Sequence, residues 1–429
     1  MGLKFRGGVH PSDNKNLSKN CQLEEFPPVD KVYIPLSQHI GAPAKECVNV
    51  GDKVSCGTLI GQASGFVSAN VFSSVSGTVV GFKKMHNASS QMVNHVVIEN
   101  DKEYRKEFLP RLAEITPETI KQRVFDAGIV GMGGATFPTH VKLSPKDKID
   151  YLIINGAECE PYITCDYRLC LEKGEEVIKG TEYLMLALGV EKAFIALEKN
   201  KADAVEHLKT ITKPNIEIVS LPVRYPQGSE KQLIYAVTRR KVPCGALPAN
   251  VGVVVDNVHT VYAVWDAVDN CNPLYKRAMT VSGKACNPKN LWVDNGVTYS
   301  AIYDYCKIED VELSKVISGG PMMGFSQQNL EPATGKGTSS LLFLTKDEFS
   351  ICNPSPCINC GRCAKHCPMN LMPMFLDKAS LTDDVATLKK YGVMNCLECG
   401  CCSYICPAKR PLVQSIKRGK SLVRKEEKK

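Results

Sequence analysis

The chain has 429 residues, 44% of them hydrophobic and 23% charged, a composition that excludes a disordered or fibrous protein and predicts roughly three or four domains. No stretch approaches the ~18–20 uninterrupted apolar residues that cross a bilayer, since the longest, from Val251 to Val255, ends at Asp256, Asn257 and His259. The first ten residues carry Lys4 and Arg6 without an apolar core, which argues against a secretory leader, and twenty cysteines in so long a chain point to metal binding in the reducing cytoplasm.

Residues 1–110 read as a small β module. Val48-Asn49-Val50-Gly51-Asp52-Lys53-Val54 and Ser73-Ser74-Val75-Ser76-Gly77-Thr78-Val79-Val80 are short strand-like runs with glycine turns, spaced as in a β-sandwich. They resemble the barrel-sandwich modules that carry lipoyl or biotin. The carrier lysine is absent, because Ala63-Ser64-Gly65-Phe66 occupies its stretch, so a docking or structural role is expected.

Residues 111–272 read as a parallel α/β domain. Thr116 caps a helix with Pro117 at its first position. Gly131-Met132-Gly133-Gly134-Ala135-Thr136-Phe137-Pro138 then strips side chains from neighbouring peptides, so that their N–H groups can meet a phosphate, with Lys142 adding charge. A glycine turn of this kind also serves simple close packing. The run Tyr151–Ile154 ends at Asn155-Gly156-Ala157-Glu158-Cys159-Glu160-Pro161, a strand end where such proteins place ligand-contacting groups. Strand-like runs Ala193–Leu197 and Ile216–Leu221 alternate with helical stretches around Glu175–Leu188 and Ala202–Ile211, which predicts right-handed crossovers.

In residues 273–345, runs at Ala278–Gly283 and Leu291–Val293, a helical stretch Thr298–Cys306, and Val316 to Gly324 resemble a β-grasp module and read as a spacer. Residues 346–412 carry the strongest pattern. Cys357-x2-Cys360-x2-Cys363-x3-Cys367-Pro368 is repeated as Cys396-x2-Cys399-x2-Cys402-x3-Cys406-Pro407. Three thiolates on a tight loop grip one [4Fe–4S] cubane, and the fourth reaches the other cluster. The pairing is therefore expected to cross: Cys357, Cys360, Cys363 and Cys406 on one cluster, Cys396, Cys399, Cys402 and Cys367 on the other. A pair of zinc knuckles is the alternative for Cys-x2-Cys, though eight cysteines in two matched runs suit iron better. Gly361 and Gly400 fall where a crowded loop wants a positive φ. Met369–Asn395 reads as helical, making this a helical two-cluster ferredoxin-like domain. Cys352 and Cys401 read as bystanders, and the ten other cysteines as buried small hydrophobes.

The net charge is +8, and Lys409–Lys429 hold nine Lys or Arg against Glu426 and Glu427, so residues 413–429 read as a basic tail. It is either a solvated segment or a contact for anionic lipid or an acidic protein. Nucleic acid is not expected, for want of interleaved aromatics.

The glycine turn and the Asn-x-x-Glu-x-Glu-Pro run after it resemble the flavoprotein subunit of respiratory complex I. The domain order, with the opening Phe5-Arg6-Gly7-Gly8-Val9-His10-Pro11, resembles the RnfC family, the NADH-side subunits of the Rnf complex. The resemblance implies FMN held by Gly131, Gly133, Gly134, Lys142, Asn155, Glu158, Tyr225, Gly228, Asn257 and Thr260, and NADH met by Phe137, Glu160 and Glu230. Two positions depart from complex I: Ala157 replaces an aspartate and Ser229 a glutamate. The implied activity is that of an ion-translocating NADH:ferredoxin oxidoreductase subunit, passing electrons between NAD(H), FMN and two [4Fe–4S] clusters, with no side chain acting as acid, base or nucleophile. Implied partners are other Rnf subunits, membrane-embedded and ferredoxin-type, which would place the chain peripherally on the cytoplasmic side of the membrane. Two other readings fit the domain order: a soluble flavin and iron–sulfur cobalamin reductase, and a relay or platform protein that has lost its flavin.

Overall fold

A computed structural model describes residues 4–349 and 353–427. Of the predicted residues, Cys352 lies outside the described ones. The barrel-sandwich module is built from two antiparallel sheets. One has four strands, in the order Lys31–Pro35, Met92–Asn100, Gly77–His86 and Lys53–Val54; the other has three, Lys45–Glu46, Leu59–Gln62 and Val71–Phe72. Alternation along the strands turns Val32, Ile34, Ile60, Val71, Val79, Val96 and Ile98 inward, all fully buried.

The middle domain follows the predicted order closely. Helix α1 (Pro117–Asp126) begins where the Thr116 hydroxyl accepts the Thr119 N–H at 3.2 Å. Strand β1 (Tyr151–Gly156) leads through helix α2 (Gly174–Leu188) to β2 (Lys192–Glu198). Helix α3 (Ala202–Ile211) leads on to β3 (Ile216–Leu221), and α4 (Glu230–Thr238) to β4 (Val253–Asn257), which runs into α5 (Val258–Asp269). All four strands are parallel, in the order β3-β2-β1-β4. The sheet is covered on both faces, so its strands are continuous apolar runs. Leu152 and Ile154 face one core with α1, α2, α3 and α5, while Ile153 faces the other with Leu233 and Ile234 of α4. Strand order reverses between β1 and β4, and their carboxyl ends open a crevice there.

The third module is a six-stranded mixed sheet, in the order Leu23–Glu25, Lys289–Asp294, Lys276–Ser282, Ser340–Leu344, Lys315–Ser318, Phe325–Ser326, beside the helix Tyr299–Cys306. One expectation needs correcting here. The module is no spacer: Met279, Val281, Leu291, Tyr299 and Phe343 share one core with the barrel-sandwich. Leu23–Glu25, within the stretch read as the β module, pairs in parallel with Lys289–Asp294 in this third sheet. A three-residue edge strand carries too short a pattern to be assigned by periodicity.

In the last module, short helices Arg362–Lys365 and Cys401–Tyr404 follow the cysteine loops, and α6 (Pro373–Leu381) and α7 (Val385–Lys390) lie between them. The basic segment is a helix, α8 (Leu412–Glu427), rather than a free tail. Its Leu412, Val413, Ile416 and Val423 are buried at helical spacing against the cysteine loops, α6 and α7. A Cβ on Gly419 would lie 2.5 Å from Ser380 Oγ and 2.8 Å from Leu388 Cδ2, so the helix approaches its neighbours more closely than any side chain permits. Charge count hid this apolar stripe. The single cysteines also divide: most are buried, but Cys47 and Cys244 are exposed.

The first three modules meet at Lys336, which is fully buried and donates to the carbonyls of Asn70 and, at 2.7 Å, Gly128. Burial pushes its amine down to about 7. The unfolded chain therefore takes up this proton near the ordinary lysine pKa of ~10.4, and the folded chain only near 7. Between those values the unfolded state holds more protons, so stability rises with pH. Replacing Lys336 by Met is expected to flatten the rise in urea midpoint between pH 7 and pH 10; parallel curves for the two proteins would contradict the assignment.

Candidate functional site

Two small cavities of equal size lie in the last module. Cys357, Cys360, Cys363 and Cys406 line the first, with Ile358, Met374 and Arg410. Cys367, Cys396, Cys399 and Cys402 line the second, with Cys401 beside them. Each set contains three cysteines of one run and the last cysteine of the other. The two loops have the same backbone plan: Asn359 and Gly361 have φ of +54° and +71°, Glu398 and Gly400 +59° and +81°. This curls each Cys-x2-Cys-x2-Cys run so that its thiols converge. The Leu371 N–H donates to Cys367 Sγ at 3.4 Å and the Glu398 N–H to Cys396 Sγ at 3.3 Å, bonds that stabilise sulfur carrying negative charge. Each cavity is lined by four cysteine sulfurs, which is the chemistry of an iron–sulfur cluster.

The cavities differ in surroundings. Cys357 and Cys360 are exposed, and Ile358 between them is 65% exposed. Cys399 and Cys402 are buried, and burial pushes the Cys396 thiol up to about 11. The ammonium of Lys420, from α8, answers that cost: it donates to Cys396 O at 2.7 Å and to Glu398 Oε1 at 2.6 Å. Cys401 is packed with Tyr225, and its thiol points at the Tyr225 carbonyl at 3.9 Å.

The second constellation lies in the crevice between β1 and β4. Gly133 and Gly134 are exposed; a Cβ on Gly134 would meet nothing, while one on Gly133 would lie 2.9 Å from Asn257. The loop is anchored where the Met132 N–H donates to Thr260 Oγ1 at 2.9 Å and the Gly131 N–H to Phe137 O at 2.8 Å. Asn257 caps α5 by accepting the His259 N–H at 2.8 Å, so the positive end of that helix faces the loop. Lys142 Nζ, 4.0 Å from where a Gly131 Cβ would sit, is held by Val255 O at 2.7 Å and Asp256 Oδ1 at 3.4 Å, with Glu230 Oε1 4.0 Å away. Glycine peptides, a helix N-terminus and an ammonium form a cradle that fits a phosphate. From β1, the Asn155 side chain donates to Gly228 O at 2.8 Å and accepts the Ala157 N–H at 3.2 Å.

Below the cradle lies a buried polar layer that sequence reasoning named only in part. Glu158, at φ +44°, accepts the Asp166 N–H at 2.7 Å, and its other oxygen faces Lys15 at 3.9 Å with no hydrogen bond. Burial, opposed by Lys15 and Lys201, brings its carboxyl up to about 7. Asp166 accepts from Asn257 Nδ2 at 2.6 Å, and Arg277 of the six-stranded sheet donates to Met132 O at 3.4 Å and Lys336 O at 2.9 Å. Lys15 and Arg277 lie far from the motifs in sequence, and no local pattern marks them or Asp166.

Glu160 turns away from the cradle. It accepts the Tyr225 hydroxyl at 3.1 Å and the Met322 N–H at 3.0 Å, and burial pushes its carboxyl up to about 7. The groups implied for the nicotinamide are thus not gathered at one point. Phe137 is half-buried at the glycine turn, Glu230 opens α4 near Lys142, and Glu160 sits at the junction with the 320–324 loop.

Comparison with known proteins adds three domain matches: the RnfC barrel sandwich hybrid domain over residues 3–103, the Nuo51 FMN-binding domain over 124–266, and the 4Fe-4S dicluster domain over 356–409. Whole-chain relatives include a subunit of the proton-translocating ferredoxin:NAD(+) oxidoreductase complex of Clostridium ljungdahlii, 46% identical over 98% of this chain and 94% of that one. The matching subunit of the Na(+)-translocating ferredoxin:NAD(+) oxidoreductase complex of Acetobacterium woodii is 44% identical over 97% and 96%. That of the ion-translocating oxidoreductase complex of Rhodobacter capsulatus is 42% identical over 98% and 83%. Among solved structures, an NAD+-reducing [NiFe]-hydrogenase chain in the air-oxidized state shares the fold at a TM-score of 0.51 and 21% identity, over 63% of this chain and 54% of that one. Replacing Gly133 by Val is expected to abolish acid-released flavin while leaving iron per chain unchanged, because the new side chain occupies the space against Asn257; undiminished flavin would exclude the loop from the site.

Proposed function

The chain belongs to the RnfC family, and we propose that it is the electron-transfer subunit of an ion-translocating ferredoxin:NAD(+) oxidoreductase complex, exchanging electrons between NAD(H), FMN and two [4Fe–4S] clusters. The observation that carries this reading is the pair of four-thiol cavities beside a phosphate cradle. FMN held in the cradle would supply the exchange between two-electron nicotinamide chemistry and one-electron cubanes. The protein's part is to hold and orient. Gly131, Gly133, Gly134 and Lys142 are assigned to the phosphate, Asn155, Glu158, Gly228, Asn257 and Thr260 to the walls of the flavin site, and Tyr225 to its edge nearest the clusters. Phe137 and Glu230 are assigned to NADH. Glu160, committed to Tyr225 and Met322, is assigned to the junction as well.

Cys357, Cys360, Cys363 and Cys406 are assigned to one cluster and Cys396, Cys399, Cys402 and Cys367 to the other, in a helical two-cluster domain; the six-stranded sheet reads as the β-grasp module. Among the described residues no helix is long and apolar enough to cross a membrane, so ion translocation is assigned to membrane-embedded partner subunits. A ferredoxin-type subunit is the natural one-electron partner, and the chain is placed peripherally at the cytoplasmic face. No observation favours the corrinoid-reductase or flavin-less readings.

Two measurements test the cluster assignment. If the pairing crosses, Cys367→Ser with Cys399→Ser disables one cluster and leaves about half the iron and acid-labile sulfide, whereas Cys363→Ser with Cys399→Ser disables both; equal loss of iron in the two would assign Cys367 to its own run. Lys420→Met is expected to lower the midpoint potential of the cluster beside Cys396 by roughly tens of millivolts, the scale of a ~1 kcal/mol charge interaction, and to leave the other unmoved. Equal shifts in a titration followed by electron paramagnetic resonance would exclude this role.

A further inference from the structure

The opening motif Phe5-Arg6-Gly7-Gly8-Val9-His10-Pro11 adds no strand to any of the sheets. It runs as a strap between the last module and the middle one. Gly7 and Gly8 stand at φ +79° and +82°. A Cβ on Gly7 would lie 2.6 Å from the carbonyl oxygen of Cys367, and one on Gly8 2.6 Å from that of Tyr225. The Gly8 N–H donates to His366 O at 2.9 Å. Val9 pairs with Tyr225 in both directions, the Val9 N–H to Tyr225 O at 2.9 Å and the Tyr225 N–H to Val9 O at 3.0 Å. Phe5, 6% exposed, is clasped by Arg224, which donates to its carbonyl at 3.0 Å and lies over its ring at 5.2 Å. Further along, Lys15 donates to Glu160 O at 2.9 Å beside Glu158.

We propose that this strap is the positioning element for electron passage between the flavin site and the cluster that takes Cys367. Two consecutive left-handed residues are a conformation only glycine adopts without strain. Here both bare faces are turned to the two peptides whose spacing that passage depends on. Val9 and Tyr225 share a small buried cluster with Cys399 and Cys401, and in one direct step the strap joins Cys367 of one site to Tyr225 of the other. The proposal rests on the assignment of Cys367 to a cluster and of Tyr225 to the flavin site. In the reaction it serves, NADH gives NAD+, one proton and two electrons, and each of the two clusters is reduced by one of those electrons. The strap exchanges no atoms; it fixes where the electrons cross.

The test uses the full chain, reconstituted with FMN, iron and sulfide and mixed anaerobically with NADH. Flavin bleaching is followed by stopped flow, and cluster reduction by freeze-quench electron paramagnetic resonance. With Gly7→Ala or Gly8→Ala, flavin content, iron content and the rate of flavin reduction are expected to match the parent. Cluster reduction should slow by about tenfold or more, in keeping with the cost of sub-ångström misplacement, and the spectrum of one cluster should change. Lys4→Ala, an exposed side chain, serves as the control. Full cofactor content with unchanged cluster reduction overturns the proposal. Should the alanine variants lose iron, Phe5→Ala loosens the strap without adding an atom, and the same rate decides. If the parent chain itself binds no flavin or no iron, the proposed function fails first, an outcome distinct from a parent that is fully loaded and variants that transfer normally.

Discussion

The crossing of the two cysteine runs constrains everything else in the last module. Because Cys367 lies in the cavity of the second run and Cys406 in that of the first, neither loop completes a four-thiol set alone. The helices between the runs are therefore held at both ends by the same pair of sites. Buried thiols are costly to ionise without a metal, as the raised thiol of Cys396 illustrates. Iron binding and folding of this module are thus coupled. Helix α8 closes the arrangement, bringing apolar residues to the loops and one ammonium, Lys420, to the peptide of Cys396.

The flavin-site half obeys a different constraint, that charge taken from water must be answered locally. Lys15, Glu158, Asp166, Lys201 and Arg277 are all buried or nearly so beneath the cradle. Such a layer adds little to stability beyond what an apolar core would give, and losing one partner costs several kcal/mol, roughly 3–5. Its value is orientation. The Asn257 side chain, held by Asp166, caps α5, and Arg277 fixes the peptide of Met132, so the cradle is set before any ligand arrives. Because Lys15 comes from the N-terminal segment and Arg277 from the six-stranded sheet, the cradle depends on three regions remote in sequence.

That remoteness decides what could be read from sequence. Three of the four parallel strands, the Thr116 cap and the cysteine loops with their two glycines were legible, because each is specified by residues close together in the chain; Val253–Asn257 was not assigned as the fourth. The helical nature of residues 412–427 was equally local, in the spacing of Leu412, Val413, Ile416 and Val423, yet counting charges concealed it. The pairing of Leu23–Glu25 with Lys289–Asp294 was not legible, since three residues show no periodicity and the partner lies far along the chain. Nor was the turning of Glu160 toward Met322, which depends on how the 320–324 loop meets the middle domain.

The two departures from the complex I pattern acquire a physical meaning at the same junction. Where complex I carries an aspartate, Ala157 leaves only its backbone, and that backbone is fully used: its N–H goes to Asn155 and its carbonyl accepts Lys201 Nζ at 2.7 Å. The carboxylate is missing, but the local conformation is kept by these bonds. Where complex I carries a glutamate, the Ser229 hydroxyl donates to Gln232 Oε1 at 3.0 Å, which orients the Gln232 amide so that its Nε2 donates to Pro368 O at 3.1 Å. Pro368 follows Cys367 directly. The Ser229 position, acidic in complex I, here steadies the peptide that follows Cys367, and the N-terminal segment meets the preceding one through the Gly8 N–H on His366 O at 2.9 Å. Cys367 is thus flanked by neutral hydrogen bonds, from the middle domain on one neighbour and from the N-terminal segment on the other.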